Sequence, residues 1–312
     1  MQRAADRGQA AESPLSVLSS GLLGPDPLLV AAGLGDIALV RTLLLGRADS
    51  SCEEKRGAPA FCCTAGQRPL HTAAQRGHLA IMEALLRHRA HVDETDSLSQ
   101  TPLIVAASSG KPDTIRFLLE QRASVEHRAK TSADALECAV VFRRASVVQQ
   151  LLSGSARCGG GGGLSVLHMA AAFGSGQDVV RHLVNSRAAV TDRLHFRPWT
   201  PLWTVCMGLC LSHRLGSSGF FSKAGCHAWG ATPLMIAVMF GNWTEAQALL
   251  EARADVSECN DKGVDSRRMA ELFGMPTSVP SLNRVLMPDR GTFKGAAWVE
   301  DQGSCPPSVM LV

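Results

Sequence analysis

Residues 68–93 read R-P-L-H-T-A-A-Q-R-G-H-L-A-I-M-E-A-L-L-R-H-R-A-H-V-D. Apolar residues recur at helical spacing on both sides of a Gly-His corner, the pattern of two short helices joined by a tight turn. Pro69 stands at the first helical position, where its fixed φ and missing N–H cost nothing. Gly77 ends this first helix where a left-handed residue is expected, and the pair Leu85-Leu86 gives the second helix its apolar face. A helix pair this small cannot bury that face alone, so the pattern predicts further copies stacked beside it.

The copies are present. With Leu70 as marker, equivalent residues fall at Leu28, Leu103, Leu136, Leu167, Leu202 and Leu234, and the last five intervals are 33, 33, 31, 35 and 32 residues. The interval from Leu28 to Leu70 is 42 residues, and the surplus, Cys52 to Gly66, reads as an insertion between repeats. Proline precedes the marker at Pro27, Pro69, Pro102, Pro201 and Pro233, and Thr101, Thr200 and Thr232 stand one residue earlier as helix caps. Three residues after the marker lie Ala31, Ala73, Ala106, Ala139, Ala170 and Ala237, small enough to let neighbouring helices approach closely. Gly35, Gly77, Gly110, Gly174 and Gly241 mark the corners, and Leu43-Leu44, Leu118-Leu119, Leu151-Leu152, Leu183-Val184 and Leu249-Leu250 repeat the apolar pair of the second helix.

This combination of period and residue type resembles the ankyrin repeat, whose period is about 33 residues. The resemblance implies an all-α solenoid of stacked helix-turn-helix units with finger loops. Taken in order, residues 1–24 read as an N-terminal tail. Residues 25–287 form the array, about seven units with a truncated C-terminal cap. Residues 288–312, rich in Pro and Gly, read as a tail. Within the array, the unit at Asp134 to Gly154 is a weakened copy, with Ala135 and Arg143 in place of the proline and the corner glycine. The five glycines Gly159 to Gly163 lack the Gly-Lys-Ser/Thr ending of a phosphate loop and read as a connection. The unit at 200–230 starts with Thr200-Pro201-Leu202 but has no recognisable second helix, so it reads as degenerate. In the last, partial copy Arg267 replaces the marker Leu, as suits a cap whose outer face meets water.

Composition narrows the function classes. Tyr is absent and aromatic residues are 5% of the chain, which argues for helices packed through Leu, Ala and Val rather than a β-rich core. A net charge of +3 gives no bulk electrostatic reason to bind nucleic acid or a membrane surface. The longest apolar run, Trp199 to Leu211, is interrupted by Thr and Pro, so no membrane span is expected. Ten Cys without regular spacing, and no secretory leader pattern at the N-terminus, point to a reducing compartment: the cytoplasm, with the nucleus as the alternative.

Three features bear on chemistry. His71 and His168 directly follow the marker Leu, and the resemblance implies a turn histidine that bonds neighbouring loops rather than a catalytic base; no nucleophile partner is identifiable. Cys206, Cys210, His213, Cys226 and His227 cluster in the degenerate unit. Tetrahedral zinc suits such residues, but no C-x-x-C occurs, and packing as small hydrophobes is the favoured reading, so no metal or cofactor is assigned. Arg47, Arg89, Arg122, Arg187 and Arg253, each followed by Ala, stand where the family usually has Gly. They form either a cationic ladder along one edge or charges neutralised by Asp49, Asp93, Glu126, Asp192 and Asp255.

Nothing here reads as an enzyme. The resemblance implies a monomeric, non-catalytic scaffold or adaptor that grips an unidentified protein partner through the concave face of the array. The alternatives are a regulatory module of a larger enzyme or channel assembly, or a metal-stabilised structural module. On the concave side the sequence places Thr72, Gln75, Arg76, Ser108 and Ser109 on first helices, and Glu94, Asp96, Leu98, Glu126 and Arg128 in finger loops. Leu98, Trp199 and Trp203 are the candidate apolar anchors. Glu94, Asp96 and Leu98 are expected to lie outside the packed layers, so their joint replacement should leave stability nearly unchanged. Outer second-helix residues Glu83 and Arg87 represent the opposite, convex face.

Overall fold

A computed structural model describes residues 26–46, 66–154, 156, 164–195, 224–225 and 227–273. Thirteen helices and no named strand occur among them. Twelve pair into layers: α1 (Pro27–Leu34) with α2 (Ile37–Leu45), α3 (Pro69–Arg76) with α4 (Leu79–Arg87), and α5 (Pro102–Ser109) with α6 (Pro112–Glu120). Then follow α7 (Ala135–Val141) with α8 (Ala145–Ser153), α9 (Val166–Phe173) with α10 (Gln177–Asn185), and α11 (Pro233–Phe240) with α12 (Trp243–Glu251). The single helix α13 (Ser266–Phe273) closes the stack.

Four of the six layers start on a side-chain cap that the sequence supplies. Asp26 Oδ1 accepts from Leu28 N at 3.3 Å, and the hydroxyls of Thr101 and Thr232 accept from Ile104 N and Met235 N, both at 3.4 Å. The fourth layer lacks the proline, yet a reciprocal pair replaces it. Asp134 Oδ1 accepts from Glu137 N at 2.8 Å, and Glu137 Oε2 accepts from Asp134 N at 3.1 Å, satisfying two end-of-helix donors at once. The first helices turn back at left-handed residues, with φ near 84° at Gly35, 83° at Gly77 and 73° at Gly110. In the fourth layer Arg143 holds the same conformation at φ 60°.

The core is a column of first helices. All six marker leucines of these layers, Leu28, Leu70, Leu103, Leu136, Leu167 and Leu234, are at most 2% exposed, and the six alanines three residues on are fully buried. First helices contact one another in the order α1, α3, α5, α7, α9, α11, α13. Small side chains at that face let the helices approach closely, packed helices in general lying ~8–10 Å apart.

The unit expected at 200–230 falls in the chain between α9 and α11, yet α9 packs directly against α11 and α10 against α12. The junction is hydrogen-bonded as well. His168 Nε2 lies 3.0 Å from the Ala231 carbonyl, and Asn242 Nδ2 donates to the carbonyls of Ala171 at 2.7 Å and Ala172 at 3.0 Å. Leu194 N donates to the Ala231 carbonyl at 2.8 Å. Two helix pairs that share this much contact leave no room for a third between them. The Thr200-Pro201-Leu202 start, Trp199, Trp203 and the Gly159 to Gly163 run lie outside the described residues.

The closing helix behaves as a cap. Met269 and Ala270 are fully buried against α11, while Arg267 at the marker position is exposed. A polar residue there ends the column against water instead of presenting a template for a further layer.

Candidate protein-interaction face

The first helices and the fingers that follow the second helices share one side of the stack. The finger after the second layer is the best ordered by its own bonds. Asp96, 7% exposed, accepts from Leu98 N at 2.9 Å and Gln100 N at 2.7 Å through Oδ1, closing a tight turn. His71 Nε2 lies 2.9 Å from the Gln100 carbonyl, which ties the finger to α3. The next finger is strapped to it. Lys130 N donates to the Leu98 carbonyl at 2.9 Å, Lys130 Nζ donates to the Ser97 carbonyl at 2.6 Å, and Ser124 N donates to Asp93 Oδ1 at 2.8 Å.

The residues expected on this face therefore divide. Thr72, Glu94 and Asp96 are buried, at 1%, 6% and 7%, which corrects the expectation that the two acids lie outside the packed layers. Sequence reading treats an acid in a finger loop as a surface group. Here Asp96 satisfies backbone donors of its own turn, and the Glu94 carboxylate sits 3.6 Å from Arg68 and 4.0 Å from His71. Arg128 is half-buried and spans Asp134 at 3.1 Å and Glu137 at 3.3 Å, holding the cap of α7. Gln75, Ser108 and Ser109 are half-buried, whereas Arg76, Leu98 and Glu126 are exposed.

Sequence reading did not single out the aromatic members of this face. Phe142, Phe173 and Phe240 each stand six residues after the marker Leu of their layer, at the end of the first helix, and are 54%, 56% and 39% exposed. The same position holds Arg76 in the second layer and Ser109 in the third. Aligning the repeats on the marker would have exposed the Phe series. The presumed unit at 200–230 hid that the fifth and sixth layers are neighbours.

The histidines play the part that the resemblance implies. His71 Nδ1 accepts from Arg68 N at 3.4 Å and His168 Nδ1 lies 2.7 Å from the Ser165 hydroxyl, so each ring is the tautomer with hydrogen on Nε2, donating to a carbonyl of the next layer. Burial lowers the pKa of both. Burial pushes the Cys138 thiol up to about 12, with Asp134 and Glu137 adding to the effect, so it stays protonated and is a poor nucleophile. Of the suspected metal cluster, Cys206, Cys210, His213 and Cys226 lie outside the described residues. His227 packs edge-on against Phe273 with ring centroids 6.2 Å apart.

The arginine ladder is in register. Arg89, Arg122, Arg187 and Arg253 all adopt φ between 61° and 68° at the ends of their second helices and are exposed; Arg47 lies outside the described residues. None of the four forms an ion pair among the described residues, and Asp93 and Asp255 instead accept from Ser124 N and Ser257 N. The left-handed conformation costs a side-chain-bearing residue about 1–2 kcal/mol, against about 0.4–1 kcal/mol for the extra freedom glycine gives the unfolded chain. After allowing a few tenths for a cation beside a helix C-terminus, each Arg→Gly change is expected to stabilise by about 0.5 kcal/mol. The four together should add about 2 kcal/mol, since the sites share no partners. Urea denaturation of the fourfold variant checks this, and a lower midpoint would show that the arginines contribute contacts that outweigh their strain.

Comparison with known proteins follows the same lines. A model of ankyrin repeats (3 copies) matches residues 28–130 and 70–160, and an ankyrin repeat model matches 229–261, together just over half of the chain. Human ankyrin and armadillo repeat-containing protein is 35% identical over 98 residues, 30% of this chain and 6% of that protein. Human ankyrin repeat and SOCS box protein 11 is 41% identical over 59 residues, 19% of this chain and 18% of that protein. Mouse ankyrin repeat domain-containing protein 63 is 33% identical over 100 residues, 31% of this chain and 23% of that protein. The matched stretches thus span less than a quarter of each of these relatives. Among solved structures, the ankyrin repeat domain of Bcl-3 aligns with a TM-score of 0.57 over 78% of this chain and 93% of that chain at 20% identity, a likeness of fold. Among the described residues no helix is long and apolar enough to cross a membrane. A repeat period written in Leu, Ala and Gly, a continuous column of first helices and two matching repeat models place this chain in the ankyrin repeat family, whose repeats are generally protein–protein interaction modules.

Proposed function

We propose that the chain is a non-catalytic scaffold or adaptor that grips a partner protein on the face lined by the first-helix ends and the fingers. The observation that carries this reading is the register of exposed side chains there. Leu34, Arg76, Phe142, Phe173 and Phe240 occupy one position in five of the six layers and are exposed on a packed column. A rigid scaffold that presents one variable side chain per layer binds without the entropy cost of ordering its own loops. Buried Asp96 and Glu94 and the interfinger bonds support such pre-organisation.

A photo-crosslinking amino acid placed singly at Gln75, Arg76, Ser109 or Phe142, and at Glu83 or Arg87 on the second helices, tests the assignment in cell extract. The expected result is crosslinking of the same protein from several positions of the first group and from neither of the second. Crosslinks confined to Glu83 and Arg87 would move the interface to the opposite face.

A further inference from the structure

We propose that the first-helix ends of the fourth and fifth layers form a docking strip for an acidic, extended segment of another protein carrying two large apolar side chains; this rests on the proposed use of the same face for protein binding. Phe142 and Phe173 are in adjacent layers at the same helical position, and more than half of each residue is exposed. Beside them Val141 and Ala172 add half-buried apolar surface, whereas the second and third layers place Gln75 and Ser108 there. Aromatic side chains held on rigid elements are the commonest anchors of protein interfaces, and two in register are an unusual exposure for a packed stack.

The charge beside the strip selects the partner. Arg143 is exposed at the corner that Phe142 enters. Arg144, also exposed, lies across the preceding corner, with its Nε donating to the Ser108 carbonyl at 3.3 Å. The Arg144 side chain comes so close to Gly110 that a Cβ on that glycine would meet its Cδ at 2.7 Å. The acids at the start of the neighbouring second helices are already engaged: Asp113 by Arg116 at 3.4 Å and Asp178 by Arg181 at 3.9 Å. Among the described residues the corner next to Phe142 is left with uncompensated positive charge, which attracts carboxylates and repels basic segments. Packed helices lie about 8–10 Å apart, and an extended polyproline-II chain rises about 3.1 Å per residue and returns every third side chain to the same face. Apolar side chains three residues apart therefore reach Phe142 and Phe173 together, with acidic residues ahead of the first over Arg143 and Arg144.

The probe is a phage-displayed library of random twelve-residue peptides, selected on the full chain and then measured as labelled synthetic peptides by fluorescence anisotropy. Selected peptides should be rich in Asp and Glu and carry a large apolar pair three residues apart. They should bind Phe142→Ser/Phe173→Ser at least tenfold more weakly. Arg143→Gly should also weaken binding severalfold and flatten its salt dependence while holding or raising stability, because glycine suits φ 60°, so unfolding cannot mimic the loss. Selected peptides that are not acidic, or that bind the double Phe variant as tightly as the parent, overturn this inference. If crosslinks from Gln75 and Ser109 persist in that case, the wider proposal stands. If no peptide is selected and no first-helix position crosslinks, both fall.

Discussion

Acidification below pH 6.5 is expected to destabilise the array, by up to about 2.7 kcal/mol per pH unit while two histidines take up protons only on unfolding. His71 and His168 are fully buried, and burial lowers the pKa of each from the ordinary value of 6.5. The unfolded chain then binds more protons than the folded one below 6.5, so stability is complete above that value and falls as the pH drops toward the folded-state pKa. Geometry supplies the reason. At His71 the Nδ1 faces the Arg68 N–H, so a second ring proton must displace an existing bond, whereas at His168 the Ser165 hydroxyl can turn to accept and the loss of solvation is the obstacle. Glu94 and Asp96 near His71, and Asp192 near His168, favour the charged ring but do not offset its desolvation, while Arg68 and His195 oppose it. Urea denaturation at pH 7 and pH 5.5 measures the effect. His71→Gln/His168→Gln should be less stable at pH 7 and should lose less on acidification. Equal pH slopes in parent and variant would assign the dependence to carboxylates.

Asp96→Ala is expected to cost about 2–4 kcal/mol, since a buried carboxylate that accepts two backbone N–H bonds is removed and both donors are left without it. The loss should spread beyond one turn. The Asp96 turn presents the Gln100 carbonyl to His71 and the Leu98 carbonyl to Lys130 N, so two layers and the next finger depend on its shape. Asp96→Asn retains one acceptor and should cost less, while Leu98→Ser, at a residue 38% exposed, should change stability by no more than about 0.5 kcal/mol. Thermal denaturation followed by circular dichroism orders the three, and Asp96→Ala matching Leu98→Ser would show that the finger is not coupled to the stack.

The site was only partly legible in the sequence. Arg76, Leu98 and Glu126 were placed on the surface, and they are there. Thr72 was placed beside them by its helix position and Glu94 and Asp96 by their finger loop, yet all three are buried: Asp96 meets the backbone donors of its own turn and Glu94 sits beside Arg68 and His71. The converse error hid Phe142 and Phe173. An aromatic residue in a helix reads as core, and which residues of an eight-residue helix face outward depends on where its neighbours pack.

Repeat type, helix starts, corners and the buried Leu and Ala positions were all readable from the chain because they are local. A proline fixes one φ, a glycine permits another, and a 33-residue period obliges each apolar face to meet its copy. Which unit stacks on the fifth layer was not local, since Thr200-Pro201-Leu202 and Thr232-Pro233-Leu234 share one tripeptide. That outcome rested on contacts between residues about 70 positions apart, such as Asn242 with Ala171 and Gly176 with Glu245. Sequence spacing carries no record of such contacts, because pairing across an insertion depends on which two apolar faces fit. It also brought Phe173 and Phe240 into neighbouring layers, and so set which side chains line the face on which a partner is proposed to bind.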